Sequence, residues 1–164
     1  MRLEPLDSGR IELVAGWLRH KENSQWLDFG RGQQVLDRLV LQVMAKSASH
    51  FVRVFSDETG SEWIGVVALS DISSFKTALL WYVLGDKRHR GRGLTATAVA
   101  KVLGAGFAEL GLHAVHAWAV PENRASVRIL EKTGFKLIGR QRQCHYIDGR
   151  AYDRLLYDLL KGDL

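Results

Sequence analysis

Apolar residues recur along the chain with two alternating periods, and the switches between them lay out the elements. Ile11 to Arg19 and Val35 to Ala45 carry apolar positions at helical spacing, the second through Leu36, Leu39, Val40, Val43 and Met44. This predicts two early helices, each with one face turned to a core. Short apolar runs follow at Phe51 to Phe55, Trp63 to Leu69 and Ala78 to Leu84, separated by Asp57-Glu58-Thr59-Gly60 and Asp71-Ile72-Ser73-Ser74. Runs of that length bounded by turn formers read as strands. The helical period returns from Leu94 to Leu110, where Val99, Val102, Leu103, Gly106, Phe107 and Leu110 keep to one face and Gly111 supplies the stop. Val115 to Val120 reads as a strand, and Pro121 and Asn123 open a helix over Arg124 to Lys132 that ends at Gly134. Phe135 to Tyr146 and Ala151 to Leu160 read as two strands joined through Asp148-Gly149, a turn whose central residues tolerate positive φ. No repeat or linker interrupts this order, so residues 1–164 are expected to form one domain of the α/β (α+β) class, a single mixed sheet with helices on both faces.

Two segments stand outside the pattern. The loop His20 to Gly32 is polar yet holds Trp26, Phe29 and two glycines, which is unusual for a stretch left in water. The other is Arg88-His89-Arg90-Gly91-Arg92-Gly93, set between a strand and a helix. Glycines there let the backbone bend and approach a ligand, and the new helix aims unpaired N–H groups and its positive dipole end at an anion. Basic side chains with backbone amides suit a diphosphate better than a single carboxylate. The spacing is neither the dinucleotide fingerprint nor the nucleotide phosphate loop; what remains is Arg-x-x-Gly-x-Gly. Downstream come Asn123-Arg124-Ala125-Ser126 and then Thr133-Gly134-Phe135.

The two segments together resemble the GNAT superfamily of acyl-CoA-dependent N-acyltransferases. The hairpin Gln141 to Asp158, with Tyr146-Ile147-Asp148-Gly149-Arg150 at its turn, is similar to that of the branch acetylating the N termini of ribosomal proteins. The resemblance implies a mostly antiparallel sheet of about six or seven strands whose central pair splays apart, here between Leu80 to Leu84 and Ala114 to Val120. Acetyl-CoA would lie in that gap. The backbone of Tyr82, Val83 and Leu84 would receive the pantetheine arm and thioester, and the amides and side chains of Arg88, His89, Arg90, Gly91, Arg92, Gly93, Leu94 and Thr95 the diphosphate. Asn123 would cap its helix and touch the arm.

The implied reaction is attack of a neutral amine on a thioester. It asks for a base, an oxyanion site and a proton for the departing sulfur. Many family members use a glutamate before the cradle and a tyrosine seven residues after the motif asparagine; this chain has Leu79 or Leu80 and Leu130 there. In the ribosomal branch a serine and a carboxylate near the hairpin carry the work. Those positions fall on Ser126 and His145, so His145 is expected as base and Ser126 as the group that helps the thiolate leave. Neutralising a lysine amine at pH 7 takes about 4.6 kcal/mol and an α-amine about 1.4, which favours peptide N termini or small amines. Acceptor selection is expected from Trp26, Phe29, Arg31, Asp71 and Tyr146, with Arg140, Arg142 and Tyr152 beside them. An amino-sugar acceptor and a non-catalytic CoA-binding module stand as alternatives.

Composition narrows this only modestly. With 46% hydrophobic and 25% charged residues the chain can build a real core. A lone Cys144 argues against a disulfide framework, and no metal-type Cys/His spacing occurs. No apolar run reaches the length of a membrane span, so a cytoplasmic protein, monomer or homodimer, is expected. The net charge of +5 is concentrated partly in Lys87 to Arg92, where an anionic ligand explains it, so no nucleic-acid partner is expected.

Overall fold

A computed structural model describes all residues, 1–164. The elements run β1 (Leu3–Pro5), α1 (Ile11–Arg19), α2 (Lys21–Ser24), α3 (Arg38–Lys46), β2 (Phe51–Ser56), β3 (Trp63–Ser70), β4 (Thr77–Leu84), α4 (Leu94–Ala108), β5 (Ala114–Ala119), α5 (Arg124–Lys132), β6 (Lys136–Ile147) and β7 (Arg150–Leu160). The seven strands form one sheet in the order β1-β2-β3-β4-β5-β7-β6, antiparallel throughout except for β4 and β5. β1 has no counterpart in the apolar pattern. It is three residues long and ends in Pro5, which an edge strand accepts because its missing N–H would have faced outward.

Each face of the sheet buries its own core. On one side α4 and α5 lay Val99, Leu103, Phe107 and Leu130 against Leu69, Leu80 and Val115. On the other, α1 and α3 lay Val14, Leu18, Leu41 and Met44 against Val54, Val66, Trp81 and Val83. Alternation along β4 therefore divides its side chains between the two cores. Trp81 and Val83 go to one face, Leu80 and the partly buried Tyr82 to the other.

Two local findings differ from the pattern. α3 begins at Arg38 because Asp37 caps it, its Oδ1 accepting from the Val40 amide at 2.9 Å. That cap sets the helix phase so that Leu41 and Met44 are buried while Leu39 and Val43, expected on the core face, stand 69% and 68% exposed. At the other end of the sheet the β6–β7 register slips between Gln141 and His145, with Gln143 at φ 50° and its N–H held by Asp153 Oδ1 at 2.8 Å. This bulge turns the His145 ring inward, to 2% exposure.

Candidate active site

β4 and β5 pair through Thr77 with Ala114, Ala78 with Val115 and Leu79 with His116, and no further. Beyond Leu79 the two strands part, and a cleft of about 1170 Å³ opens through the sheet. The whole run Leu79 to Leu84 lines it on one side, Ala117 and Trp118 on the other. β5 thus contributes to the opening only beyond His116; Ala114 to His116 are zipped to β4. The unpaired edge of β4 offers backbone groups to any extended chain laid in the wedge.

One mouth of the cleft lies over the α4 and α5 face. Gly91 and Gly93 adopt φ +74° and +75°, a left-handed geometry that costs any residue with a Cβ roughly 1–2 kcal/mol. Gly93 is the residue from which α4 starts. His89, Arg90, Gly91, Gly93, Leu94 and Thr95 all line the opening. Arg88 and Arg92 do not. Arg88 is clamped on Asp86 at 2.6 Å and on Glu62 at 3.3 Å, and Arg92 on Glu58 at 2.8 Å. Two basic residues of α5, Arg128 and Lys132, take their place at the mouth. Their spacing with Arg124, one residue every helical turn, was readable in the sequence. A flexible anion such as a diphosphate arm fits this mouth, since amides, helix start and cations converge there.

Between the two mouths stand Tyr82 and Ser126. The Tyr82 hydroxyl lies 2.8 Å from Ser126 Oγ and 3.1 Å from the Ser126 carbonyl, while Asn123 Oδ1 accepts from the Ser126 amide at 3.3 Å. Burial pushes the Tyr82 phenol well above its ordinary value, so it stays protonated. Asn123 and Ser126 both line the cleft, and the cap and the contact with the wedge coincide.

The second mouth lies over the α1 and α3 face. Trp26 and Phe29 line it, with Phe29 edge-on to Trp81 at 5.1 Å between ring centres, and Leu36, Val40 and Met44 extend the apolar wall. Asp71 and His50 stand at its end. Arg31 and Tyr146 are exposed and do not line the cleft.

A braced cluster holds the loop of Trp26 and Phe29 in place. Arg154 Nη2 donates to Asp28 Oδ2 at 2.8 Å and to His145 Nδ1 at 2.9 Å, and its guanidinium lies 3.8 Å from the Trp118 ring centre. His145 Nε2 meets the Gln25 carbonyl at 2.6 Å. A carbonyl only accepts, so Nε2 carries the proton and Nδ1 is the acceptor. Both ring nitrogens are therefore spent inside the protein, and His145 is not among the residues lining the cleft. Burial, with help from the Arg154 charge, lowers its pKa against the opposing pull of the Gln25 carbonyl and Asp28. For Asp28 burial pushes upward, but the Arg154 bond and the amides of Gly30 and Gly32 outweigh it and hold the carboxyl below its usual range. Arg154 Nε is buried without a partner. Gln25, Asp28, Arg154 and His50 went unread in the sequence, since nothing local marks residues whose partners lie 120 and 126 positions away, or 20 away across two strands in the case of His50.

Comparison with known proteins converges on one family. A family model described as an acetyltransferase (GNAT) domain matches residues 1–136. A Bacillus subtilis protein named "Probable N-acetyltransferase YjcK" is 38% identical over 102 residues, 61% of this chain and 56% of that protein. The chain spans about half the length of the first curated relatives it matches. Among solved structures, the spermidine N-acetyltransferase of Vibrio cholerae in complex with CoA and spermine superposes with a TM-score of 0.85 at 20% identity, covering 99% of this chain and 96% of that one. The ribosomal-protein-S5-alanine acetyltransferase of Vibrio fischeri gives 0.80 at 23%, covering 98% and 93%.

Proposed function

The chain belongs to the GNAT acetyltransferase family, and from that premise we propose that it moves the acetyl group of acetyl-CoA to a primary amine by direct attack in a ternary complex. The observation that carries this reading is the cleft that passes through the sheet, with an amide-and-cation mouth on one face and an apolar mouth on the other. Two substrates can then meet at the β4–β5 wedge from opposite sides. The diphosphate is held at Arg90, Gly91 and Gly93 to Thr95 with Arg128 and Lys132, and the arm lies along Tyr82 to Leu84.

The acceptor is an α-amine or a small amine bearing an apolar group. Of the carboxylates lining the cleft, Glu22 is paired with Arg90 and Asp28 with Arg154, which leaves Asp71 without an ion pair. One unpaired carboxylate matches one ammonium. A polyamine, the substrate named for the Vibrio cholerae neighbour, carries several charges and would leave the others without partners. The Phe29, Trp81 and Val40 wall suits the apolar remainder of a monoamine.

Ser126 helps the thiolate leave by giving up its hydroxyl proton, and the protonated Tyr82 behind it restores that proton. His145, nominated above as base, has no lone pair to offer the acceptor while Arg154 occupies Nδ1, so its part in this reading is to position the Gln25 loop and Arg154.

The test is thiol release from acetyl-CoA against a panel of peptide N termini, small amines, amino sugars and polyamines, alongside calorimetry of CoA binding. Turnover on an apolar monoamine is the expected result. Binding without turnover on any amine would replace the enzyme with a CoA-binding module.

A further inference from the structure

Resting on the function just proposed, we infer that His50 is the general base of the acceptor mouth, oriented by Ser70 and Trp81, with Asp71 beside it to draw in the acceptor's ammonium group.

His50 lines the cleft, directly before β2. The sheet register puts it at the closed end of the wedge: its neighbour Phe51 pairs with Leu69, and Leu69 pairs with Leu80, one residue past the last β4–β5 partner. A linear arm anchored at Gly91 to Leu94 and running down β4 brings its reactive end toward this apex.

The hydrogen bonds around the ring leave one nitrogen available. Trp81 Nε1 donates to Ser70 Oγ at 2.8 Å, and Ser70 Oγ lies 3.0 Å from His50 Nδ1. No side chain or backbone group of the protein bonds Nε2. When Nδ1 holds its proton toward Ser70, the Nε2 lone pair is free. After Nε2 takes a proton the Nδ1–H bond to Ser70 is unchanged, so the ring changes charge without losing its orientation. His145 is the contrast, with both nitrogens engaged.

Burial lowers the His50 pKa, which keeps the imidazole neutral near pH 7, and the Asp71 charge opposes part of that shift. Asp71 is the charged group acting on His50, and it acts likewise on His116 of β5. It sits at φ 53° immediately after Ser70, at the end of β3. Carboxylate and imidazole thus face one mouth together: the first attracts a protonated amine, the second takes one N–H proton from the neutral amine as it attacks.

The amine first sheds its extra proton to water; its nitrogen lone pair then bonds to the thioester carbon, and an N–H proton passes to His50 Nε2. The C–S bond breaks, its electron pair stays on sulfur, and the thiolate takes the Ser126 proton. Water then carries the proton from His50 back to the Tyr82–Ser126 pair.

Two readouts test this on the full chain. By NMR titration the His50 ring should titrate below the ordinary value of about 6.5, and Asp71→Asn should lower it further. In kinetics, the acid limb of kcat/KM should follow that same titration. His50→Gln should remove the limb and cut kcat by about 100-fold, with CoA affinity by calorimetry within about two-fold of wild type; His50→Asn should behave alike. Ser70→Ala should reduce kcat less and displace the limb, with Ser70→Thr restoring both. Retention of more than about half the wild-type kcat in His50→Gln, with the limb intact, overturns the assignment. A wild-type protein that turns over no amine while binding CoA overturns it together with the function it rests on.

Discussion

Truncating Asp28 to Ala should loosen the acceptor mouth and leave the CoA mouth intact. Its carboxylate accepts from Arg154 Nη2 at 2.8 Å, from the Gly30 amide at 2.8 Å and from the Gly32 amide at 3.0 Å. The ion pair is largely enclosed, with side-chain exposures of 14% for Arg154 and 16% for Asp28. Breaking one partner of such a pair costs about 3–5 kcal/mol because the other charge is left buried. The two glycine amides are exposed, so water replaces those bonds at little cost, and Arg154 keeps His145 and the Trp118 face. We therefore take the lower end, about 3 kcal/mol, which for a chain of this size lowers Tm by roughly 6–12 °C. Calorimetric melting measures it. Arg154→Met alone should cost a similar amount, but the double variant should cost much less than the sum, with a coupling above about 1 kcal/mol. Steady-state kinetics should show a raised KM for the acceptor beside an unchanged CoA affinity. A Tm drop under about 2 °C, or additive single variants, would refute the idea that this pair braces the loop.

Three further outcomes follow from other parts of the site. Gly91→Ala and Gly93→Ala force a Cβ into left-handed backbone at about 1–2 kcal/mol each, so calorimetry should show roughly ten-fold weaker CoA binding with Tm falling only a few degrees. Ser126→Ala and Tyr82→Phe remove members of one hydroxyl pair, so each should lower kcat by at least about ten-fold with less effect on CoA affinity; equal loss of both would reduce them to binding groups. For His145 the folded pKa lies below the unfolded one. The unfolded chain therefore binds more protons in that window, and stability is full above about pH 6.5 and lost as pH falls through the folded value. Melting of wild type and His145→Gln from pH 7.5 to 5 should show a shallower acid slope in the variant, with the remaining slope coming in part from His50 and His116.

Much of this molecule follows from local rules. Helix α1 begins and ends where the apolar period places it, α5 where its period and the Asn123 cap do, the hairpin turns at Asp148-Gly149 with φ 51° and 77°, and Gly91 and Gly93 hold the left-handed backbone that their loop requires. These features depend on residues within a few positions of one another, so the amino-acid order alone specifies them. Side-chain direction in the site does not. A bulge in β6 decides that His145 faces inward, the Asp37 cap decides which face of α3 is dry, and salt bridges to Asp86 and Glu58 withdraw Arg88 and Arg92 from the mouth that Arg128 and Lys132 then occupy. The bond between Arg154 and Asp28 joins positions 126 apart, and the approach of His50 to Ser70 depends on strand register. Such contacts are set by how two cores pack on opposite faces of one sheet, and no periodicity along the chain carries that information.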